Sequence, residues 1–365
     1  MLACSISAIY IKRRKLLKQL PKKNFDIAWL NVNRGCNNRC TFCYAKDAIQ
    51  SCEEMPYREA IQLLTVLREL SLRKIILIGG EPTIYPNIIG LVKAISGHGM
   101  SCTIQSNGIR FADIAFLREM ISAGMTECGI SIKGFSEEEY AQTTGTRNYP
   151  LLLKAIDNLA KLNYMAMFSY VLSKPSLDEA DKLILGVKKL GLKNIYISPV
   201  HPTLCEADGY APPDYRNWVK VYKHIISKLS TENVKFSFGI SFPLCAFSEE
   251  EIVSYMRRGI IRKNCCQAVL GNGLVFDTDF RLLPCNMFVK APFIKDQKRI
   301  KSANDIYEIM NTPAVKSFYE WTNTPLTKEC RACYRWSQCH AGCRARWTYE
   351  NPEEEISGFN SEERI

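Results

Sequence analysis

No stretch of this 365-residue sequence approaches the roughly 18 consecutive apolar residues that a membrane-spanning helix needs. The stretch Met1 to Tyr10 has neither a charged region ahead of it nor a cleavage site, so it does not read as a secretory signal. Internal repeats and low-complexity linkers are missing, and histidine is scarce, with four in the chain. Composition excludes disordered and collagen-like chains: 47% of residues are hydrophobic and 23% charged, enough apolar material for a large core. The expectation is a cytoplasmic protein with no membrane partner.

The formal charge of +11 is uneven. Lys12, Arg13, Arg14, Lys15, Lys18, Lys22 and Lys23 crowd the first 25 residues, and without those seven the excess falls to +4. No aromatic platform is interleaved with them, so this arm reads as a solvated N-terminal helix, and no nucleic-acid partner is expected. Residues 350–365 form an acidic tail.

Cysteine is the informative excess. Sixteen in a chain of this kind exceed ordinary use, and disulfide scaffolds belong mainly to small secreted chains, so metal or cluster ligation is the better reading. From residue 26 to about 240 the sequence alternates β-rich runs with helical stretches, which predicts βα units on a parallel sheet. Strands are expected at 26–32, 74–78, 101–105, 127–133, 165–172, 194–198 and 235–238. Helices are expected at 56–70, 87–96, 113–122, 151–162, 177–190 and 214–229. The fold class is α/β, a partial (β/α)6 TIM-like barrel over residues 26–240, followed by a cysteine-rich region over 241–349. In such a barrel reactive groups sit just after the strands.

After the first strand comes Cys36-Asn37-Asn38-Arg39-Cys40-Thr41-Phe42-Cys43, a CxxxCxxC on a polar loop. Three thiolates can hold an iron–sulfur cube and leave one of its irons open. The alternative is a zinc site, which wants four closed ligands and has only Cys52 at hand. The second strand runs into Gly79-Gly80-Glu81-Pro82, where two glycines let a ligand approach the backbone and Glu81 can accept from an ammonium. Strand parity puts Trp29, Asn31, Thr103, Gln105, Glu127, Ser131 and Lys133 on the lumen side. Cys102 and Cys128 then face the helices as small buried residues.

The CxxxCxxC followed one βα unit later by Gly-Gly-Glu-Pro resembles the radical S-adenosylmethionine (SAM) superfamily. The resemblance covers residues 26 to 240. It implies that Cys36, Cys40 and Cys43 hold a 4Fe–4S cluster whose open iron takes the amine and carboxylate of SAM. It further implies that Phe42 lies by the adenine, that Gly79, Gly80, Glu81 and Pro82 hold the methionine amine, and that Ser106, Asn107 and Ser131 touch ribose or carboxylate. Lys133 departs from the Asp of many relatives in the segment Ser131-Ile132-Lys133-Gly134.

Further on, Cys330-Arg331-Ala332-Cys333, then Cys339 and Cys343, follow Cys265-Cys266 and Cys285. This resembles the SPASM extension of peptide-modifying radical SAM enzymes, which implies one or two auxiliary 4Fe–4S clusters on Cys266, Cys285, Cys330, Cys333, Cys339 and Cys343. Two departures stand out: Phe280 replaces the Gly five positions before Cys285, and no Cys follows Cys343. Cys245 and His340 are candidate substitutes, and a four-cysteine zinc knuckle is the alternative. Cys205 and Cys245, near the expected barrel mouth, are also candidate hydrogen-atom donors, with buried inert thiols as the bland alternative. Tyr170, Tyr196 and Lys133 are candidates for substrate contact.

The resemblance implies an oxidoreductase that makes a 5′-deoxyadenosyl radical and abstracts a hydrogen atom. The first expectation is crosslinking, cyclisation or epimerisation of a ribosomally made peptide. Only 35 residues precede Cys36, too few for a winged-helix leader-binding domain, so a separate leader-recognition protein is an expected partner, alongside a reductant for the cluster. The alternatives are dehydrogenation or epimerisation of a sugar or aminoglycoside and, from another class, a non-catalytic iron–sulfur or zinc binding protein.

Overall fold

The computed structural model describes residues 24–348, apart from 47, 50, 201–214, 240–242, 263–265 and 290. Cys205, nearly all of the basic arm and the acidic tail lie outside the described residues.

Parallel strands buried on both faces read as continuous apolar runs. Lys-Ile-Ile-Leu-Ile of the second strand is one: Ile75 and Leu77 face the helices with no exposure, while Ile76 and Ile78 face the lumen. The strands are β1 (Ile27–Asn31), β2 (Lys74–Ile78), β3 (Ser101–Ser106), β4 (Met125–Ile132), β5 (Ala166–Leu172), β6 (Asn194–Pro199) and β7 (Lys235–Phe238). They lie side by side in sequence order, every neighbouring pair parallel. Between them run α1 (Tyr57–Glu69), α2 (Ile88–Gly97), α3 (Ile114–Ser122), α4 (Glu137–Thr144), α5 (Tyr149–Lys161), α6 (Leu177–Lys189) and α7 (Tyr215–Leu229). The sheet is not closed, as a partial barrel requires.

Amphipathic spacing fixes each helix to the sheet. In α1, Ala60, Leu63, Leu64 and Leu67 are buried on one stripe. Each such Leu contributes about 1.5–3 kcal/mol through removal from water. N-caps set the starts: Asp113 accepts from Ala115 N and Phe116 N, and Ser176 accepts from Glu179 N.

The C-terminal region joins the same sheet. It comprises α8 (Glu249–Arg257), α9 (Gln267–Leu270), β8 (Gly273–Phe276), β9 (Leu282–Leu283), α10 (Ala303–Met310), α11 (Pro313–Asn323), α12 (Lys328–Ala332) and α13 (Trp336–Cys339). Strand β8 pairs parallel with β1, Ile27 opposite Gly273 through Leu30 opposite Phe276, and β9 turns back antiparallel. Asn31 Nδ2 donates to Phe276 O at 2.9 Å across the junction. Among the described residues no helix is long and apolar enough to cross a membrane.

Two elements escape the sequence periodicity. Helix α4 is short and polar, Glu-Glu-Glu-Tyr-Ala-Gln-Thr-Thr, and its capping Ser136 accepting from Glu139 N marks it better than any apolar stripe. Strand β8 owes its place to a partner more than 240 residues away, which no local pattern announces.

Candidate active site

The loop that follows β1 is held from three directions. Its Arg34 guanidinium forms a buried ion pair with Asp277, just beyond β8. Its backbone docks on the end of α4, with Arg39 N donating to Thr144 O at 2.8 Å and Thr41 N to Thr143 O at 2.9 Å. Asn38 Nδ2 donates to Tyr140 OH at 3.2 Å, and Thr146 Oγ1 donates to Asn38 Oδ1 at 3.1 Å. The turn after β2 supports it from below: Gly80 N donates to Asn33 O and Glu81 N to Gly35 O, both at 2.8 Å. A Cβ on Gly80 would overlap the Gly35 carbonyl. The glycines at 79 and 80 therefore admit the cysteine loop's own backbone as well as lining the space above it.

Glu81 is the knot of this arrangement. It is 1% exposed. Its Oε1 accepts from Thr83 N at 3.0 Å, Thr83 Oγ1 at 2.5 Å and Ser106 Oγ at 2.8 Å, and its Oε2 from Asn107 N at 2.7 Å. Burial raises the pKa of this carboxyl, and the hydrogen bonds oppose that shift. With three donors on Oε1 and one on Oε2, an incoming ammonium has the remaining side of Oε2. Ser106 and Asn107 are likewise committed: Ser106 Oγ also accepts from Gly108 N, and Asn107 Nδ2 donates to Asn37 Oδ1 at 2.6 Å, back to the cysteine loop.

These residues surround one cavity of about 800 Å³. Cys36, Cys40, Cys43, Phe42, Gly79, Gly80, Glu81, Ser106, Asn107, Ser131 and Lys133 all line it. Pro82 does not; it is buried behind the wall as the first residue of the 3-10 turn Pro82–Ile84. Ser131 Oγ shares a hydrogen bond with Ser169 Oγ at 3.3 Å, and Lys133 Nζ stands 5.0 Å from the centre of the Phe42 ring. Arg39 and Lys46 also line the cavity, so three cations face one carboxylate among the described lining residues.

The expectation for Tyr170 is corrected. In β5, Ser169 pairs with Ser131, so the odd-numbered residues face the lumen. Tyr170 points the other way, packs on Phe135 with ring centroids 5.0 Å apart, and donates its hydroxyl to Glu139 Oε1 at 3.0 Å. Tyr196 pairs with Ser169 and shares the lumen face. Cys102 and Cys128 are buried toward the helices, as parity requires.

The three loop cysteines fit a cluster by donor chemistry. Asn38 N donates to Cys36 Sγ at 3.4 Å. Burial pushes the Cys36 thiol up to about 12, the Asn38 amide opposing it and Glu81, Cys40 and Cys43 adding to it. A cationic iron centre reverses that preference by taking the thiolates, with release of protons. Among the described residues no three His, Cys, Asp or Glu side chains converge as a single metal ion requires. A cluster accepts each thiolate on a different iron and does not demand that convergence.

The cysteines of the C-terminal region fall into two groups. Cys285, buried, lies in the field of Cys266 and Cys343, and Met287 N donates to its sulfur at 3.3 Å. Cys339, Cys330 and Cys333 act on one another and on Cys245, which is not among the residues lining the cavity. Met287 also lines the main cavity, so the Cys285 group adjoins it. Phe280 adopts φ 66°, the left-handed conformation that glycine favours, so the chain keeps that turn without glycine. Three buried polar side chains with no hydrogen-bond partner for at least one atom each follow a group cysteine directly: Asn286 Oδ1, His340 Nδ1, and Nε and Nη1 of Arg344. Arg344 is 3% exposed, rests on the Trp321 ring and donates from Nη2 to Trp321 O; burial lowers its pKa to about 10, opposed by Cys330 and Cys343. An anionic cluster would supply the partner these orphans lack.

Comparison with known proteins agrees with this geometry. The Radical SAM superfamily model matches residues 30–185. The chain is 27% identical over 133 residues to a probable GTP 3′,8-cyclase of Thermococcus kodakarensis, which is 36% of this chain and 43% of that protein. It is 29% identical over 140 residues to GTP 3′,8-cyclase of Chlorobaculum tepidum, 38% of this chain and 42% of that protein. The chain thus spans about half the length, or less, of these curated relatives. Among solved structures, SuiB of Streptococcus suis bound to precursor peptide SuiA superposes with a TM-score of 0.70 at 15% identity, covering 90% of this chain and 74% of that one. The anSMEcpe protein with bound AdoMet and Cp18Cys peptide gives a TM-score of 0.65 at 18% identity, covering 87% and 89%. These likenesses concern the fold. Cysteine loop, strand order and family model meet in the same segment: over residues 30–185 the chain carries a radical SAM domain.

Proposed function

We propose that this radical SAM enzyme modifies a ribosomally made peptide, by crosslinking, cyclisation or epimerisation. The observation that carries the reading is the shared cavity: three cysteines, the Gly-Gly-Glu turn, Ser106, Asn107 and Ser131 all open onto one space of about 800 Å³, which lies within the range of small-molecule sites. Cys36, Cys40 and Cys43 would hold the 4Fe–4S cluster, with SAM between it and the sheet. When bound, the pair would supply a carbon-centred radical, formed from SAM with release of methionine at the expense of one electron from the reduced cluster, able to remove a hydrogen atom from substrate.

The chain's own residues position and exclude. Asn38 and Asn107 brace the cysteine loop, which holds the backbone that carries its thiols in place. Phe42 offers a ring face for a flat base, and Lys133 a cation for a carboxylate. Val171, Pro199, Val200 and Met287 line an apolar part of the wall, which keeps water from a reactive carbon. The Cys285 group, adjoining the cavity, and the Cys330 group would hold SPASM-type auxiliary clusters that take the electron left on an oxidised substrate. Support for a peptide comes from the structural neighbours SuiB, bound to precursor peptide SuiA, and anSMEcpe, bound to Cp18Cys peptide, which share the fold over 87–90% of this chain.

A second reading, conversion of an anionic small molecule, is favoured by those cyclase relatives and by Arg39, Lys46 and Lys133 on the wall. An aminoglycoside, itself polycationic, suits that wall poorly. The test is anaerobic reconstitution followed by assay of 5′-deoxyadenosine under dithionite. Wild type forms it; the variant with Cys36, Cys40 and Cys43 all changed to Ala forms none and loses about four irons. Retained cleavage in that variant overturns the mechanism. Stimulation by an acidic precursor peptide rather than by GTP decides between the two substrates.

A further inference from the structure

The C-terminal motif is one thiolate short. Cys330 and Cys333 act electrostatically on Cys339, whereas Cys343, next in sequence, acts with Cys266 on Cys285, and none of residues 344–365 is a cysteine. A 4Fe–4S cluster closed by protein needs four ligands.

The fourth position is filled from the other end of the region. Just past β7, the 3-10 turn Leu244–Ala246 packs on α13, with Leu244 N donating to Cys339 Sγ at 3.2 Å. The turn delivers Cys245, partly buried against the same core that contains Cys330 and Cys339. The turn thus brings a fourth sulfur into the neighbourhood of Cys330, Cys333 and Cys339, and soft sulfur donors suit iron–sulfur or zinc over harder metals. His340 is the competing donor, since its Nδ1 is buried without a partner. Its ring, however, is held against Trp336 with centroids 5.2 Å apart.

We infer that Cys245 is the fourth ligand of the cluster held by Cys330, Cys333 and Cys339, a thiolate supplied from ahead of the motif in place of one behind it. The inference rests on the auxiliary-cluster reading above. It gives the loop after β7 a ligand's role, and it leaves the Cys266, Cys285 and Cys343 group with three described thiolates.

The test counts auxiliary iron in full-length protein whose first motif is already Cys36→Ala, Cys40→Ala and Cys43→Ala. Reconstituted anaerobically, Cys245→Ala in that background loses between one and about four irons per chain, and one of two reduced-state EPR signals changes. Cys245→Ser keeps its iron and shifts the same signal, because oxygen replaces sulfur at one iron; a cysteine that only packs would leave the signal unmoved. The serine variant also decides the matter if the alanine variant fails to fold. Full iron and unaltered spectra in both Cys245 variants overturn the inference, as does loss of that signal in His340→Ala alone. Unchanged iron in Cys330→Ala with Cys333→Ala would instead overturn the cluster reading itself.

Discussion

The barrel half and the C-terminal region hold their cysteines by different means. In the barrel, the CxxxCxxC loop is clamped by backbone pairs, by Asn38 and Asn107, and by Arg34 reaching Asp277 of the C-terminal region, over an apolar core that both regions share. Beyond residue 244 the cysteines lie in loops and at short elements: Cys330 on Lys328–Ala332 and Cys339 on Trp336–Cys339, helices of five and four residues too short to stand alone, and Cys266 and Cys333 at helix caps. Buried polar groups there wait for partners. One region holds its cysteine loop with its own hydrogen bonds; the other, on the auxiliary-cluster reading proposed above, would be completed by what it binds.

The largest expected effect tests that contrast. Stripping iron with a chelator under anaerobic conditions should open the segment 244–348 to limited proteolysis while 24–240 resists, read by mass spectrometry of the fragments. Equal resistance of both segments would erase the distinction. Next in size, Cys330→Ala with Cys333→Ala should leave uncoupled SAM cleavage within about twofold of wild type yet remove any oxidised product; SAM cleavage reports the barrel half alone. Product formation at the wild-type rate would deny the C-terminal clusters a part in electron transfer.

Within the barrel, Gly80→Ala forces a methyl against the Gly35 carbonyl. Overpacking of this kind costs about 1–3 kcal/mol, and a loop displaced by it should cleave SAM at least tenfold more slowly, measured by deoxyadenosine formation. The smallest effect concerns the lumen floor. The bond from Lys74 Nζ, 2.6 Å from Glu127 Oε2, holds that carboxyl below the usual range, with Thr103 adding to it. Its contribution to stability is therefore present above the unfolded carboxylate range and lost as pH falls through the lowered value. Glu127→Gln should flatten the acid limb of the melting curve slightly and leave neutral pH within about 0.5 kcal/mol.

Much of this was legible. Seven strands and six helices fall within about two residues of their periodicity, since a parallel sheet buries whole β-branched runs and its helices one stripe. The cysteine loop and the Gly-Gly-Glu turn are local words, readable without a fold. What escaped is non-local or too polar: α4, on which the cysteine loop docks, and the pairing of β8 with β1. Tyr170 shows a different failure. Its parity was available from the strand, because Met167, Ser169 and Val171 take the lumen side, but an aromatic beside a serine attracted a functional role. The sorting of cysteines into two groups is invisible in spacing, because Cys343 and Cys339 are close in sequence and belong to different groups.

Strand β1 has hydrogen-bonded neighbours on both sides, β2 and β8. A fragment ending near residue 243 would strip β8 away and turn β1 into a bare edge, the amides and carbonyls of Ile27 to Leu30 that face β8 left unpaired while the others stay with β2. Such an edge is a template for another chain. The radical SAM half expressed by itself is thus predicted to self-associate through β1, and a solubilising change would belong on that strand rather than on the surface of the helices.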